Sequence, residues 1–345
     1  MKRILYLALA IITGVLLSAC STNAGTVAQE QEVKQAEKAI VYISGPEAMI
    51  NQLEEAFEAE RGDVLDMVKM SCGQLRSKTW TEHEAGRIQA DVIWGSDPLI
   101  YNKLDQENAF EKVEITDLDQ VRSEYLLEDK TYTYINERYV GVLYNKETVL
   151  EVPKSFEDLN NPVYKNSIVA ADATQSSTAF AITASLAQVM DGGMTYFDKL
   201  NDNGLLLSKS NGQVPSKILE GQAGVGIGPI DAVIRLENKG KKEGYEVPLA
   251  ISWPSEGVVS LIRPIALVKN DERNKSIDES ARAFINFMHT KQAQKVTTKF
   301  GFVSIRKDIE NKILPKDVLV QKIDWEMATE NEEAIQSAYR QVFNQ

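Results

Sequence analysis

The sequence has 345 residues, of which 43% are hydrophobic, and it carries a formal net charge of −12. A chain of this length can bury the cores of two separate lobes. Its acidity argues against nucleic acid and anionic lipid as binding partners, because both would repel a negatively charged protein.

The N-terminus has the pattern of an export signal. Residues 1–3, MKR, form a short basic region, and residues 4–17 form a mainly apolar run that is too short for a stable membrane span. Two small residues then precede Cys20, which resembles the lipobox of bacterial lipoproteins. That resemblance implies cleavage before Cys20 and its acylation, as with palmitate; the alternative is an ordinary signal peptide followed by a chance cysteine. An acylated Cys20 leaves Cys72 without a partner for an intrachain disulfide, and residues 21–38 are typical of a flexible tether.

The first part of the mature chain repeats one unit, an apolar strand followed by a short loop of small polar residues and then a helix. The strands are expected at residues 39–43, 64–70 and 91–94, and the loops after them contain Ser44, Gly45, Ser71, Cys72, Gly73, Ser96 and Asp97. Trp94 ends the third strand, where it either packs in the core or forms an aromatic wall beside a cleft. Cys72 is interpreted as a small packed thiol, since no histidine lies near it in the sequence.

The most informative stretch begins with an apolar strand at residues 168–171. Ser176, Ser177 and Thr178 follow it at the start of a helix. The first backbone N–H groups of a helix lack internal partners and lie at the positive end of the helix dipole, so this junction predicts an anion site made of neutral donors. Residues 166–198 contain no Lys or Arg, so any positive charge must come from a distant part of the chain. The alternative is an ordinary N-cap, for which Ser and Thr are preferred.

The second half of the chain adds further junctions of this kind. Gly212 and Gln213 lie in a polar turn before a short helix, and a glycine-rich run at residues 221–228 predicts a buried strand. Pro229 and Asp231 follow that run. Its glycine spacing lacks the strand–turn–helix context of a dinucleotide-binding motif.

Nothing in the sequence has the pattern of a catalytic centre. We find no nucleophile with a neighbouring base, no histidine pair at metal-ligand spacing and no cofactor loop. His83 and His289 lie far apart in the sequence and are predicted to be surface residues. We therefore expect a binding protein without a cofactor, and not an enzyme.

The ordered set of these motifs resembles the extracellular solute-binding proteins of bacterial ABC importers, and most nearly the group that contains ferric-iron binders and their relatives for phosphonates and sugar phosphates. The motifs are the lipobox at Cys20, residues 73–75, ADVIWGSDP at 90–98, YVGVLYN at 139–145, SSTA at 176–179, the 212–228 region and WPSEG at 253–257. The resemblance implies an α/β fold of two lobes, the type II periplasmic-binding architecture. It also implies two hinge crossings, which match the extended stretches at residues 132–145 and 258–268.

The domain organisation that follows has five parts. They are a signal peptide at 1–19, the lipidated Cys20 and its tether at 20–38, lobe 1 at 39–138 plus 259–305, lobe 2 at 139–258, and C-terminal helices at 306–345. The resemblance also implies a monomer, held by its lipid anchor on the extracytoplasmic side of the cell membrane, that closes around a solute and docks on a membrane permease. A ligand-sensing subunit for a membrane receptor would share this fold and site and remains an alternative.

The identity of the solute depends on one departure from the iron binders. Those proteins typically have adjacent tyrosines after the glycine-rich strand, whereas this chain has residues 228–232, GPIDA. Ferric iron is therefore the alternative, and a phosphonate, sugar phosphate or similar small organic anion is the preferred ligand, with Asp97, Asp231 or Glu256 facing its amine or hydroxyl end. The predicted ligand-binding residues are Ser44, Gly45, Ser71, Cys72, Gly73, Trp94, Ser96, Asp97, Ser176, Ser177, Thr178, Gly212, Gln213, Pro229, Asp231 and Glu256.

Overall fold

A computed structural model describes residues 37–344. The predicted signal peptide, Cys20 and residues 21–36 of the predicted tether lie outside the described residues. The strands are β1 (Ala39–Ile43), β2 (Leu65–Lys69), β3 (Val92–Trp94), β4 (Phe110–Glu111), β5 (Thr133–Asn145), β6 (Ile168–Ala171), β7 (Leu206–Ser208), β8 (Val225–Pro229), β9 (Leu249–Ser252), β10 (Val258–Val268), β11 (Val303–Ser304) and β12 (Val320–Gln321). The helices are α1 (Glu47–Arg61), α2 (Cys72–Glu84), α3 (Pro98–Gln106), α4 (Ser177–Val189), α5 (Thr195–Asp202), α6 (Gln213–Leu219), α7 (Asp231–Glu243), α8 (Lys275–His289), α9 (Lys291–Lys299), α10 (Trp325–Glu330) and α11 (Glu332–Phe343).

The main path of the sheet runs β2-β1-β3-β10-β5-β8-β6-β7. β1, β2 and β3 are parallel to one another, as are β6, β7 and β8. The long strands β5 and β10 are antiparallel and lie between these two sets. They occupy the stretches predicted as hinge crossings, and the predicted two-lobe α/β fold is confirmed.

The strand directions determine where the loops meet. β10 is antiparallel to β3, β5 is antiparallel to β10, and β8 is antiparallel to β5. β1 and β3 therefore point along β5 toward the second lobe, whereas β6 and β8 point back toward the first. The carboxyl ends of both parallel sets face the boundary between the lobes, where ligands bind in open sheets of this kind.

Each lobe has its own core, because amphipathic helices cover the sheet. In lobe 1, the helical spacing of Met49, Ile50, Leu53 and Phe57 gives α1 one apolar face, and all four side chains are buried. Phe57 packs edge-on against Phe284 of α8, with ring centroids 5.4 Å apart. In lobe 2, the apolar helix α4 packs with β6 and β8 into a second core. Within residues 37–344 no helix is both long and apolar enough to cross a bilayer.

The structure corrects two sequence predictions outside the site. Helical pieces were expected within residues 306–345; they occur only from Trp325 onward, and residues 306–324 are mostly non-helical, since the short strand β12 pairs with β10 there. His289 was expected at the surface, but it is fully buried. It lies one helical turn after the buried Ile285 on α8 and shares its inward face.

Candidate functional site

The predicted strand-end loops come together at the boundary between the lobes. Ser44 follows β1 and Ser96 follows β3, while Ser176 lies after β6 and Pro229 ends β8; all four are buried. Cys72, at the start of α2, joins the first group, since its Sγ lies 3.0 Å from the Ser44 Oγ. The junctions predicted from separate parts of the sequence thus lie at one boundary of the sheet.

Two glycines lie where the lobes touch. A Cβ atom at Gly73 of lobe 1 would lie 3.2 Å from the carbonyl oxygen of Gln175 in lobe 2. A Cβ atom at Gly301, which has a φ of +85°, would lie 2.9 Å from the Cα of Asp231. A side chain would be crowded at both positions, so the two glycines let the lobes approach each other closely.

Arg263 of β10 is the central residue of the site, and its side chain is completely buried. Its Nε donates to the Ser96 Oγ at 2.6 Å, and its Nη2 donates to the Ser44 carbonyl oxygen. It therefore joins the loops after β1 and β3. Its Nη1 lies 3.4 Å from the Asn136 Oδ1 on the neighbouring strand β5. Within residues 37–344 it forms no ion pair with a carboxylate.

A buried charge without a counter-ion is costly. Burial, together with the nearby positive charge of Arg138, lowers the pKa of Arg263 to about 10. The guanidinium still remains protonated at neutral pH. Its positive charge accordingly favours an anion in its surroundings.

Trp94 supports this arginine and does not form an exposed aromatic wall, so that interpretation was wrong. The indole is fully buried in the lobe 1 core. The guanidinium carbon of Arg263 lies 4.4 Å from the Trp94 ring centroid and 4.7 Å from that of Phe302. Stacking on two rings restricts the guanidinium to one plane and gives it cation–π stabilisation in the absence of a carboxylate.

Both carboxylate oxygens of Asp231 accept hydrogen bonds from arginines. Contrary to the prediction, Asp231 therefore does not face a ligand amine. Arg138 donates to it from Nε at 2.9 Å and from Nη2 at 2.7 Å, and Arg235 donates to its second oxygen. Burial alone would raise the pKa of Asp231, but the charges of the two arginines outweigh it and lower the pKa. One carboxylate against two guanidiniums leaves this group with a net positive charge beside Arg263.

Several buried donors of the site have no hydrogen-bond partner among residues 37–344. They are the Asn136 Nδ2, the Trp94 Nε1 and the Ser177 Oγ. Ser176 accepts from the Ala179 N–H at 3.3 Å and so caps α4, while Thr178 is buried in the first turn. The expected N-cap and the expected unpaired hydroxyl therefore both occur, on adjacent serines.

A cavity of about 420 Å³ opens between the start of α2 and the loop before α4. Ser71, Gly73, Arg76 and Ser177 are among the residues that line it. The Nη1 of Arg76 donates to the Asp97 Oδ2 at 2.8 Å, and its Nη2 donates to Glu332 on α11. Asp97 is 1% exposed, and its other oxygen, Oδ1, has no partner among residues 37–344.

The remaining predicted residues have simpler surroundings. Gly45 is exposed beside the Arg263 guanidinium, and Ser71 caps α2 by accepting from the Gln74 N–H at 3.2 Å. Gly212 and Gln213 are exposed, and the Gln213 Oε1 accepts from the Lys209 N–H. Their neighbour Asn211 was not predicted, yet its Nδ2 lies 3.5 Å from the Ser176 Oγ.

Glu256 was wrongly predicted to face the ligand. Its carboxylate accepts from the backbone N–H groups of Phe156 at 3.2 Å and Glu157 at 3.1 Å. These amides begin a short 3₁₀ helix of lobe 2, Glu157–Asn160, where a carboxylate satisfies otherwise unpaired N–H groups. Glu256 is a capping residue.

Sequence reasoning missed Arg263, Arg138, Asn136 and Arg76. The signal for Arg263 was present, since it is the only charged residue of the strand VVSLIRPIALV. A charge in a run that is otherwise buried needs a partner or a function. Within the described residues, no group of three or more His, Cys, Asp or Glu side chains is arranged to hold a metal ion.

Residues 89–331 match the family described as bacterial extracellular solute-binding protein. An uncharacterized protein of Haemophilus influenzae is 25% identical over 276 residues, which make up 76% of this chain and 75% of that protein. A putative 2-aminoethylphosphonate-binding periplasmic protein of Salmonella typhimurium is 23% identical over 230 residues, 64% of each chain.

Two solved structures with similar folds carry different ligands. The periplasmic binding protein AfuA from Actinobacillus pleuropneumoniae, with exogenous fructose-6-phosphate bound, has a TM-score of 0.76 at 19% identity and covers 89% of this chain and 98% of its own. Iron-bound HitA from Pseudomonas aeruginosa has a TM-score of 0.74 at 19% identity, covering 89% and 99%. At this identity the likeness establishes the fold alone.

The two lobes and the two long strands that cross between them give the chain the fold of the periplasmic binding proteins. The chain belongs to the bacterial extracellular solute-binding protein family. The resemblance stated from the sequence is thereby confirmed. This family and its structural neighbours are binding and transport proteins.

Proposed function

We propose that the protein captures a small organic anion with a phosphoryl group, such as a phosphonate or a sugar phosphate, and delivers it to a membrane permease. The observation that carries this proposal is Arg263, a buried guanidinium without a carboxylate partner in a cleft that also contains unpaired neutral donors. A tetrahedral oxyanion accepts several hydrogen bonds at once and neutralises the arginine.

The donors from the two lobes have complementary parts in this mechanism. Arg263, Ser44 and Ser96 belong to lobe 1, whereas Ser177 and Thr178 belong to the start of α4 in lobe 2. An anion that bridges them stabilises the closed arrangement more than the open one, and closure is what a permease would recognise. The helix dipole of α4 adds to the attraction without a further charged side chain.

Ferric iron is the competing cargo, since HitA shares the fold. Two features of this chain count against it. Arg263, together with the net positive charge of the Arg138–Asp231–Arg235 group, would repel a trivalent cation. Iron also needs several anionic oxygen ligands, and the region after β8 supplies an aspartate that two arginines already hold.

We further propose that Cys20 carries the lipid anchor and that the protein acts as a monomer on the extracytoplasmic face of the membrane. The support is the sequence pattern before Cys20 and the extracellular character of the family. Radiolabelled palmitate should enter the wild-type protein and not a Cys20→Ala variant. Equal labelling of both proteins would contradict the anchor.

Two buried arginines provide a test of the anion site. Arg263 has no carboxylate partner among residues 37–344, whereas Arg273, whose side chain is 2% exposed, pairs with Asp91, Glu111 and Asp278. Calorimetric titration with fructose 6-phosphate, 2-aminoethylphosphonate, fructose and ferric citrate identifies the ligand class for the wild-type protein. We expect a phosphoryl compound to bind the wild-type protein. Arg263→Met should lower the affinity for that compound by about 100-fold or more, as for loss of one partner of a buried charge pair.

Thermal unfolding separates ligand binding from folding. Arg263→Met should leave the melting temperature of the ligand-free protein within a few degrees of wild type, since it removes an unpaired buried charge. Arg273→Met should lower the melting temperature and keep ligand binding. Binding of fructose or iron alone, or unchanged phosphoryl binding by Arg263→Met, would contradict the proposal.

A further inference from the structure

We propose that the solute is zwitterionic, with an amine group that donates to the Oδ1 of Asp97 while its phosphoryl group pairs with Arg263. This inference rests on the proposed function, because it concerns the second end of the same ligand. It defines the substrate class as a short amino-phosphonate or amino-phosphate, and it makes Asp97 the residue that distinguishes such solutes from simple phosphoryl compounds.

One carboxylate oxygen of Asp97 accepts no hydrogen bond from the described residues. This side chain is 1% exposed, and Arg76 occupies only its Oδ2. The Oδ1 is buried with no partner among residues 37–344. A buried carboxylate oxygen that accepts no hydrogen bond is costly, and native proteins rarely retain one without a reason.

Helix capping does not explain this aspartate. Asp97 stands at the N-cap position of α3, where such residues usually accept from a backbone N–H of the first turn. Here the side chain makes no capping hydrogen bond. The carboxylate is free to serve another donor.

The location ties this acceptor to the anion site. Asp97 directly follows Ser96, whose Oγ receives the Arg263 Nε. The charges of Arg263 and Asp97 both act on the same buried phenol, that of Tyr101. Arg76, which holds Asp97, lines the interlobe cavity together with Ser177. Because Asp97 is the sequence neighbour of a residue that Arg263 binds, a solute that reaches both side chains would be short.

The charge balance matches a zwitterion. Arg76 pairs with two carboxylates, Asp97 and Glu332, so that group has a net negative charge. On the other side, Arg263 lacks a carboxylate partner within the described chain, and the group around Asp231 has a net positive charge. A solute with a phosphoryl dianion at one end and an ammonium at the other complements both sides.

The other acidic candidates do not compete for this role. Asp231 accepts hydrogen bonds from two arginines, and Glu256 caps a short helix through the backbone N–H groups of Phe156 and Glu157. Of the three acidic residues that the sequence indicated, only Asp97 retains a buried oxygen without a partner among residues 37–344.

Matched ligand pairs test the inference by calorimetric titration of the purified full-length protein. 2-Aminoethylphosphonate is compared with ethylphosphonate, and phosphoethanolamine with ethyl phosphate. Wild type should prefer the amine-bearing member of a pair by about tenfold or more, because the lost contact is a charged hydrogen bond in a buried site. Asp97→Asn should bind both members of a pair alike.

Glu332→Gln is the matched control, since it also removes a carboxylate that Arg76 binds but leaves Asp97 in position. We expect it to keep the preference for the amine. Equal binding of both pair members by wild type would overturn the inference while leaving the proposed function intact, whatever the folding of Asp97→Asn. A preference that persists in a folded Asp97→Asn would also overturn it. Failure of wild type to bind any phosphoryl compound would instead refute the proposed function.

Discussion

Arg263 illustrates why the charge of a cleft cannot be inferred from the net charge of the chain. The protein is acidic overall, at −12, yet the side chain of Arg263 is completely buried and forms no ion pair with a carboxylate among residues 37–344. The strand around Arg263 predicts burial correctly, and burial of an arginine predicts a partner. The pairing of β10 with β3 and β5 determines which loops accept hydrogen bonds from Arg263. That pairing cannot be predicted from the sequence of the strand alone.

His289 is a second buried ionisable residue whose surroundings the sequence did not reveal. Its Nδ1 lies 2.9 Å from the Ile285 carbonyl oxygen, and its Nε2 lies 3.1 Å from the Thr133 Oγ1. Burial lowers its pKa from 6.5 to about 4, and the charge of Arg306 contributes in the same direction. Between pH 6.5 and about 4, His289 is therefore neutral in the folded protein and protonated in the unfolded chain.

Protein stability should accordingly fall as the pH falls from 6.5 to 4. The full effect of His289 is about 3 kcal/mol, from 1.36 kcal/mol per pKa unit. Thermal unfolding at about pH 7 and about pH 4.5 should show a smaller loss of melting temperature in His289→Gln than in wild type. His83→Gln, at a partly exposed position on α2, should behave like wild type. A wild-type pH profile in His289→Gln would contradict this account.

At the scale of elements, the sequence predicted the bounds of several strands correctly. The bounds of β1, β6 and β10 are those predicted, because each is a short apolar run bounded by polar or turn residues. The glycine-rich run differs, since β8 begins only at Val225. Gly221 has a φ of +73°, outside the range of a strand, and Gly224 packs against Ser167. Glycine spacing alone did not distinguish a turn from a strand.

The loop between α9 and β11 allows a test of closure. Gly301 has a φ of +85° and contacts Asp231 across the cleft, whereas Gly86 has a φ of +94°, and a Cβ atom added there would meet nothing within 4 Å among the described residues. Alanine at either position costs about 1 kcal/mol of backbone strain. Only Gly301→Ala should also hold the lobes apart, which lowers the closed population and weakens solute affinity by about tenfold.

Calorimetry and small-angle X-ray scattering together measure this effect. In saturating solute, Gly301→Ala should have a larger radius of gyration than wild type, and Gly86→Ala should match wild type in both affinity and radius. Equal affinity in Gly301→Ala and Gly86→Ala would show that the contact with Asp231 does not control closure.

At the scale of the whole molecule, the C-terminal tail contacts both lobes. On α10, Thr329 receives a hydrogen bond from Asn102 of α3 in lobe 1. On α11, the Tyr339 hydroxyl accepts from the Ala173 N–H beside the cleft loop of lobe 2. The sequence predicted terminal helices but not their location, because their contacts join residues more than 150 positions apart. Local periodicity identifies an apolar face and does not reveal what covers it.

The predicted cleft followed from topology, since parallel strands in both halves place their carboxyl ends at one boundary. What the sequence did not provide was the distribution of charge inside it. Serines at helix starts were recognised, while Arg263, Arg138 and Arg76 lie outside those junctions and reach them only in the folded protein. The site is therefore more cationic at one end, and more acidic at Asp97, than the motifs alone indicated.

The central claim is that Arg263 makes the cleft an anion site. Its most direct test is the native mass spectrum of the purified protein, recorded after incubation with a bacterial metabolite extract. We expect the wild-type spectrum to show a single bound solute that contains phosphorus, and the Arg263→Met spectrum to lack that solute. A bound iron, a bound neutral compound, or the same phosphorylated solute retained by Arg263→Met would contradict it.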